Sequence, residues 1–184
     1  MIPVAANDRT ARAVWIALLA ALTAAMTVTY TCIAPFAALG VAAAMTLPRR
    51  EALAGAAVVW LANQATGFGM LGYPWTLHAL GWGVAIGAGA MVATVSAQWL
   101  VPLRLRPPVR AAIAFPAAFA AYELVLLAAA LTVLGGGAFA PGIVAQVLVV
   151  NAVTLVGLYG LSHVFALAAT ACRRRAPASP ARVA

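Results

Sequence analysis

One carboxyl group stands inside a long apolar run, where a polar side chain is energetically expensive. Glu123 is the only acidic residue within such a run, and no Arg or Lys accompanies it there. A charge at the bilayer centre costs roughly 2.5–3.5 kcal/mol on insertion scales, so we expect a neutral carboxyl that faces the bundle interior or a wet cavity. Ligand contact, proton relay, cation binding and a hydrogen bond to a helix carbonyl all remain open for it.

Four amide side chains are predicted to lie at a similar depth, in the halves of two apolar runs that are remote from the arginines. They are Asn63, Gln64, Gln146 and Asn151. A single one of them is explained by an interhelical hydrogen bond, worth roughly 0.6–2 kcal/mol. Four at one depth favour a polar-lined cavity with Glu123 at its inner edge.

The segment 66–78 combines glycines, a proline and aromatic residues. We expect it to interrupt the helix. Tyr73 and Trp75 then belong either to an interface belt of aromatic side chains or to a lid that approaches a ligand closely. His78 closes the segment. Its imidazole is either a solvated or hydrogen-bonded side chain or a ligand for a metal centre.

The sequence predicts no enzymatic activity. It has no HExxH, no GxSxG and no phosphate-binding glycine loop, so any ATP-driven work would need a partner. Cys32 and Cys172 fall near opposite ends of the predicted bundle, which excludes a disulfide between them. His163 lies too far from His78 to share a site with it.

The positions of the basic residues, all eleven of which are arginines, predict the helices that carry these side chains. They are Arg9, Arg12, Arg49, Arg50, Arg104, Arg106, Arg110, Arg173, Arg174, Arg175 and Arg182. The turns around 35, 72–75 and 135–142 carry none. Because short loops rich in Arg or Lys stay cytoplasmic, this alternation predicts six membrane spans with both termini inside.

Composition agrees with an integral membrane protein. The chain is 66% hydrophobic and 8% charged, whereas a soluble domain is about 25% charged. The arginines behind the net charge of +8 flank apolar runs, which suits anionic lipid headgroups in a bilayer better than nucleic acid. We therefore expect no nucleic-acid partner.

The fold class expected is an all-α integral membrane protein with six transmembrane helices. The predicted spans are 13–33, 36–47, 53–70, 80–103, 111–133 and 143–171. The second is short of the roughly 20 residues that a perpendicular crossing needs, so its neighbours must shield it. Residues 1–172 form a single transmembrane domain, and residues 173–184 are expected to be a disordered basic cytoplasmic tail.

Small residues recur at four-residue spacing along two predicted spans. Gly83 and Gly87, with Gly89 beside them, would let helices approach closely in the fourth span. On the first span, the alanine ridge consists of Ala13, Ala17, Ala21 and Ala25. The spacing arises either by chance, because alanine is abundant throughout the chain, or because the ridge is a helix-packing surface within the molecule or a docking surface for a partner.

The chain resembles one family, the substrate-capture S components of energy-coupling-factor (ECF) vitamin transporters. The features that they share are six spans in a chain of 184 residues, a short second span, the AxxxA pattern of the alanine ridge and the loop after the third span. The similarity covers residues 9–172. The resemblance implies a bacterial cytoplasmic membrane and a vitamin-like cargo without a permanently bound cofactor. It also implies that Ala17 and Ala21 dock onto the transmembrane coupling protein, which joins a pair of ATPases. Residues 66–78 would be the gate, and the S component would topple in the membrane to deliver its vitamin.

Cobalamin-type members resemble the chain best. Some use a cysteine in the third loop to ligate the corrinoid cobalt, where this sequence has His78. Two alternatives remain from the residues themselves. One is a small cobalt, nickel or proton-coupled permease centred on Glu123 with His78 as an outer ligand, and the other is a structural subunit of a larger membrane complex.

Overall fold

The computed structural model describes residues 9–30, 34–134 and 141–175, and the regular structure within these ranges is helical. The helices are α1 (Arg9–Tyr30), α2 (Phe36–Thr46), α3 (Arg49–Gly69), α4 (Leu77–Leu100), α5 (Pro107–Ala129) with a π-helical turn at Ala130–Leu134, and α6 (Pro141–Arg175). The predicted count of six helices is confirmed. α6 continues through Arg175, beyond the predicted domain end at 172, and the rest of the expected tail lies outside the described residues, as does Cys32.

Four of the helices are long and apolar enough to cross a membrane, namely α1, α4, α5 through Thr132, and α6 through Phe165. α2 is apolar but has only 11 residues. α3 has 21 residues and begins with charged side chains in its first turn. Length and composition therefore indicate a protein embedded in the membrane, in which the short α2 and the less apolar α3 are accommodated among the four longer apolar helices.

α2 lies at the centre of the bundle. All its residues except Met45 are buried, and it packs against α3, α4, α5 and α6. Close packing is possible because its side chains are small. At Gly40, an added Cβ would lie 2.8 Å from Thr94 Oγ1 on α4. The neighbours thus shield the short second segment, as the sequence predicts.

Polar contacts bring the arginine-bearing helix ends together at one end of the bundle. Arg12 Nε on α1 lies 2.7 Å from Glu51 Oε2 on α3. Gln98 Nε2, near the end of α4, donates to the Arg49 carbonyl at 2.9 Å. Trp15 Nε1 donates to Thr46 Oγ1 at the end of α2, also at 2.9 Å. We call this the arginine end.

The glycines of α4 admit side chains rather than a neighbouring backbone. An added Cβ at Gly87 would lie 2.7 Å from the Trp60 ring, and one at Gly89 would lie 2.8 Å from the Tyr122 ring. Trp60 Nε1 also donates to the Gly83 carbonyl at 2.8 Å. The close packing expected for these glycines is present, but large rings from α3 and α5 fill the space.

α1 turns two different faces to its surroundings. Its buried residues are Trp15, Leu19, Thr23 and Thr27, and they face the other helices. All four members of the alanine ridge are exposed. The ridge therefore does not pack against the described part of this chain, which leaves chance and a docking surface as its explanations.

Candidate ligand-binding cavity

A cavity of about 510 Å³ opens at the end of the bundle opposite the arginine end. It lies where α3 ends and where α2, α4 and α6 begin, beside the second half of α5. Its wall is formed by Ala34, Phe36, Asn63, Gln64, Phe68, Tyr73, Pro74, His78, Ala79, Trp82, Gly83, Ile86, Tyr122, Glu123, Leu126, Ile143, Val144 and Val147. A volume between about 300 and 1,000 Å³ is typical of sites that enclose drug-sized molecules.

Two of the four predicted amides lie in this wall. Asn63 is buried, and its Oδ1 accepts a hydrogen bond from the Thr27 hydroxyl at 2.7 Å. Gln64 lies one residue further along α3, against Gly83 of α4, where an added Cβ would be 2.9 Å from Gln64 Oε1. Its Nε2 is enclosed and has no hydrogen-bond partner among the described residues. The α3 amides are therefore where the sequence predicts.

Gln146 and Asn151 are not part of the wall, and this expectation was wrong. Gln146 is exposed on α6. Asn151 is fully buried, but its Oδ1 accepts from the Ala38 amide of α2 at 3.0 Å and its Nδ2 donates to the Val147 carbonyl at 2.9 Å. Depth along a helix was predictable for both residues, but the direction in which each side chain points was not.

Glu123 contributes the one carboxyl group of the described wall. It is half-buried and makes no ion pair or hydrogen bond with another described side chain. Its sequence neighbour Tyr122 is buried and lines the same cavity, with its ring 6.1 Å from that of Phe36. The position of Glu123 in a cavity rather than toward lipid follows the physical expectation for an acid at this depth.

The loop between α3 and α4 is shorter than the sequence predicts. Gly67 and Gly69 are helical, and the chain leaves helical geometry only at residues 70–76. Among the described glycines, only Gly72 has a positive φ, of 68°. Gly67 has a different role, because an added Cβ there would lie 2.6 Å from the Tyr73 ring. The glycine thus lets the loop fold back onto the end of α3.

Aromatic side chains of this loop stack over the end of α3. The Phe68 ring lies 6.0 Å from Tyr73 and 4.8 Å from Trp75, measured between centroids. Tyr73 lines the cavity, whereas Trp75 is 75% exposed and stands outside the wall. The loop is therefore an aromatic cover for the cavity, with Tyr73 on its inner side.

His78 belongs to the first turn of α4 rather than to the loop. Thr76 caps that helix, since its Oγ1 accepts from the Ala79 amide at 3.2 Å. The imidazole lines the cavity although the residue is exposed, and its ring lies 6.5 Å from Trp82. It therefore marks the open side of the cavity. No group of three or more His, Cys, Asp or Glu side chains that could hold a metal ion is assembled among the described residues.

Phe36 and Tyr122 are wall residues that the sequence did not indicate. Both occur in apolar runs where an aromatic residue is an ordinary core side chain, and only their packing across α2 and α5 brings them to the cavity. The wall is thus mainly aromatic and aliphatic, with a few polar groups from α3, α4 and α5. No family model matches this chain, and no curated protein or solved structure has significant similarity to it.

Proposed function

We propose that this protein is the membrane-embedded substrate-binding subunit of an ECF-type vitamin transporter. It would capture a vitamin-sized organic molecule in the cavity from the extracytoplasmic side. The observation that carries the proposal is the cavity itself, because about 510 Å³ of mostly apolar space with a few polar groups suits a small organic ligand better than a bare ion.

The positions of the arginines support the direction of capture. Those within the described residues lie at the end opposite the cavity, and short arginine-rich loops remain on the cytoplasmic side. In the proposed orientation both termini are cytoplasmic, the membrane is the bacterial cytoplasmic membrane, and the cavity opens outward. The exposed alanine ridge on α1 gives a smooth surface on which a coupling protein with its ATPase pair would dock.

A corrinoid is the first ligand to test, with His78 as the candidate cobalt ligand. A cobalamin exceeds a cavity of this size, so it would insert one edge and leave the rest at the open side. His78 is exposed on that side, where a neutral imidazole nitrogen can coordinate a metal that the ligand brings with it.

The experiment is a titration of the protein in lipid nanodiscs with aquocobalamin, followed by the cobalt absorption spectrum. We expect the wild type to bind and to shift the spectrum. His78→Ala should lose the spectral shift. His163→Ala is the matched control, because His163 lies toward the other end of α6, against Tyr159 at 4.8 Å, and should behave as the wild type.

The same titration series is extended to a panel of water-soluble vitamins, read by the shift in unfolding temperature. Binding of another vitamin without binding of cobalamin would overturn the corrinoid assignment and leave the capture function standing. Binding of no member of the panel would contradict the capture function itself.

A further inference from the structure

The charged groups of the cavity wall are unbalanced. Glu123 is its carboxyl group, and no arginine or lysine is among the described wall residues. The described arginines stand at the opposite end of the bundle, so they are separated from the cavity by most of the length of the helices. A negatively charged ligand would therefore face an acid with no arginine or lysine of the described wall to balance it, and the exposed imidazole of His78 lies at the open side, in a setting where unpaired charge is costly.

The aromatic residues of the wall favour the opposite ligand charge. Five rings line the cavity, those of Phe36, Phe68, Tyr73, Trp82 and Tyr122. The face of an aromatic ring carries negative partial charge, and it attracts a cation within about 6 Å, by roughly 0.5–2 kcal/mol for each contact. Rings together with one carboxyl group form a site suited to positive charge.

The amides of the wall do not set the charge preference of the site. Gln64 Nε2 is enclosed by protein. Asn63 Oδ1 already accepts from the Thr27 hydroxyl, so the group that remains on this amide is the donor Nδ2. The preference for positive charge therefore rests on the carboxyl group of Glu123 and on the aromatic rings of the wall.

From these observations we propose that the ligand carries a cationic nitrogen heterocycle, which enters the aromatic wall with its positive charge directed toward Glu123. The inference rests on the proposed capture function but not on the corrinoid assignment. Ligands whose recognised group is a free carboxylate or phosphate are excluded by it.

The test uses three ring compounds of nearly equal size and different charge with the protein in nanodiscs. They are 1-methylnicotinamide as the cation, nicotinamide as the neutral molecule and nicotinate as the anion, and binding is measured by saturation-transfer NMR titration. We expect the cation to bind about tenfold more tightly than the neutral molecule, with the anion weakest.

Glu123→Gln removes the carboxyl group, which a bound cation would favour in its ionised form, and keeps the size of the side chain. We expect it to lower the affinity for the cation about tenfold and to leave the neutral molecule within about twofold. Gln146→Ala is the control, because Gln146 is exposed on α6 outside the wall, and it should change neither affinity.

Equal or tighter binding of the anion, or an unchanged order of affinities in Glu123→Gln, would overturn the inference. Absence of binding for all three compounds would overturn it as well. If an anionic or neutral vitamin binds in the wider panel and Gly83→Leu abolishes that binding, capture stands while the charge preference is wrong. If no molecule of any charge binds, both proposals fail together.

Discussion

A helix that begins inside an apolar bundle leaves its first backbone N–H groups without intrahelical partners. α2 begins after Pro35, which supplies no side-chain cap. The missing acceptor comes from another helix, because Asn151 Oδ1 on α6 accepts from the Ala38 amide at 3.0 Å. A polar residue at bilayer depth thus has a structural role, and a buried unsatisfied N–H explains why that role is needed.

Replacing this amide should lower stability without affecting the cavity. Asn151→Leu keeps a similar volume but leaves the Ala38 amide unpaired, for which we expect a loss of about 1–3 kcal/mol in the free energy of unfolding. The measurement is the unfolding temperature in nanodiscs. Gln146→Leu is the control and should unfold as the wild type does. Equal stability of the two variants would show that the Asn151 hydrogen bond is not needed.

The polar residues of the site were easier to predict from the sequence than the groups that each of them contacts. Glu123, Asn63 and Gln64 stand out because polar groups are costly in apolar runs. Whether such a residue faces a cavity, another helix or the outside depends on the rotation of its helix. In helices that are apolar all round, the sequence has no polar face from which that rotation can be read. Gln146 and Asn151 were assigned to the wall for this reason.

At the scale of elements, α2 determines how closely the bundle can pack. Gly40 faces α4 so tightly that an added Cβ would lie 2.8 Å from Thr94 Oγ1 and 3.2 Å from Thr94 N. Thr94 is buried and its hydroxyl is bonded to the Ala90 carbonyl at 2.8 Å. Neither the backbone nor this bonded side chain can move away at low cost, so α2 and α4 would have to separate.

Gly40→Ala should therefore destabilise the bundle, although alanine is the better helix former. We expect a loss of about 1–3 kcal/mol, the usual cost of overpacking a core. Gly157→Ala on α6 is the matched control, because an added Cβ there meets open space, and it should be neutral or stabilising by up to about 1 kcal/mol. The contrary result is a Gly40→Ala protein that unfolds at the same temperature as the control.

Helix boundaries show why element ends were harder to predict than element number. The apolar runs and their arginine flanks indicated six helices, and six are present. The glycines at 67 and 69 were interpreted as helix breakers, yet α3 continues through both. A glycine that receives a packed ring, as Gly67 receives Tyr73, cannot be distinguished from a turn glycine without knowledge of the long-range contact.

At the scale of the whole molecule, the two ends of the bundle and its outer face differ in character. The arginine end is held by the Arg12–Glu51 pair at 2.7 Å, whereas the opposite end holds the cavity. The alanine ridge of α1 runs along the outside between them. This separation suits a protein that binds a small molecule at one end and contacts a partner along one face.

The ridge can be tested independently of the cavity. Ala17→Leu combined with Ala21→Leu adds bulk to exposed positions, so ligand affinity and unfolding temperature should remain those of the wild type. Uptake of the ligand in cells that express the proposed coupling partners should fall at least about tenfold, because the helices can no longer approach closely. Val14→Leu together with Val28→Leu, also at exposed positions of α1, is the control. Normal uptake by the double alanine variant would contradict the docking role.

Native mass spectrometry of the protein released from nanodiscs tests most directly whether the cavity captures a small organic molecule. Gly83→Leu places a side chain in the wall against Gln64, whereas Gly160→Leu points into open space on α6. We predict that the wild type and Gly160→Leu retain the same small molecule from the vitamin panel and that Gly83→Leu loses it while remaining folded. A wild type that retains no molecule, or a Gly83→Leu protein that retains it equally well, would contradict capture in this cavity.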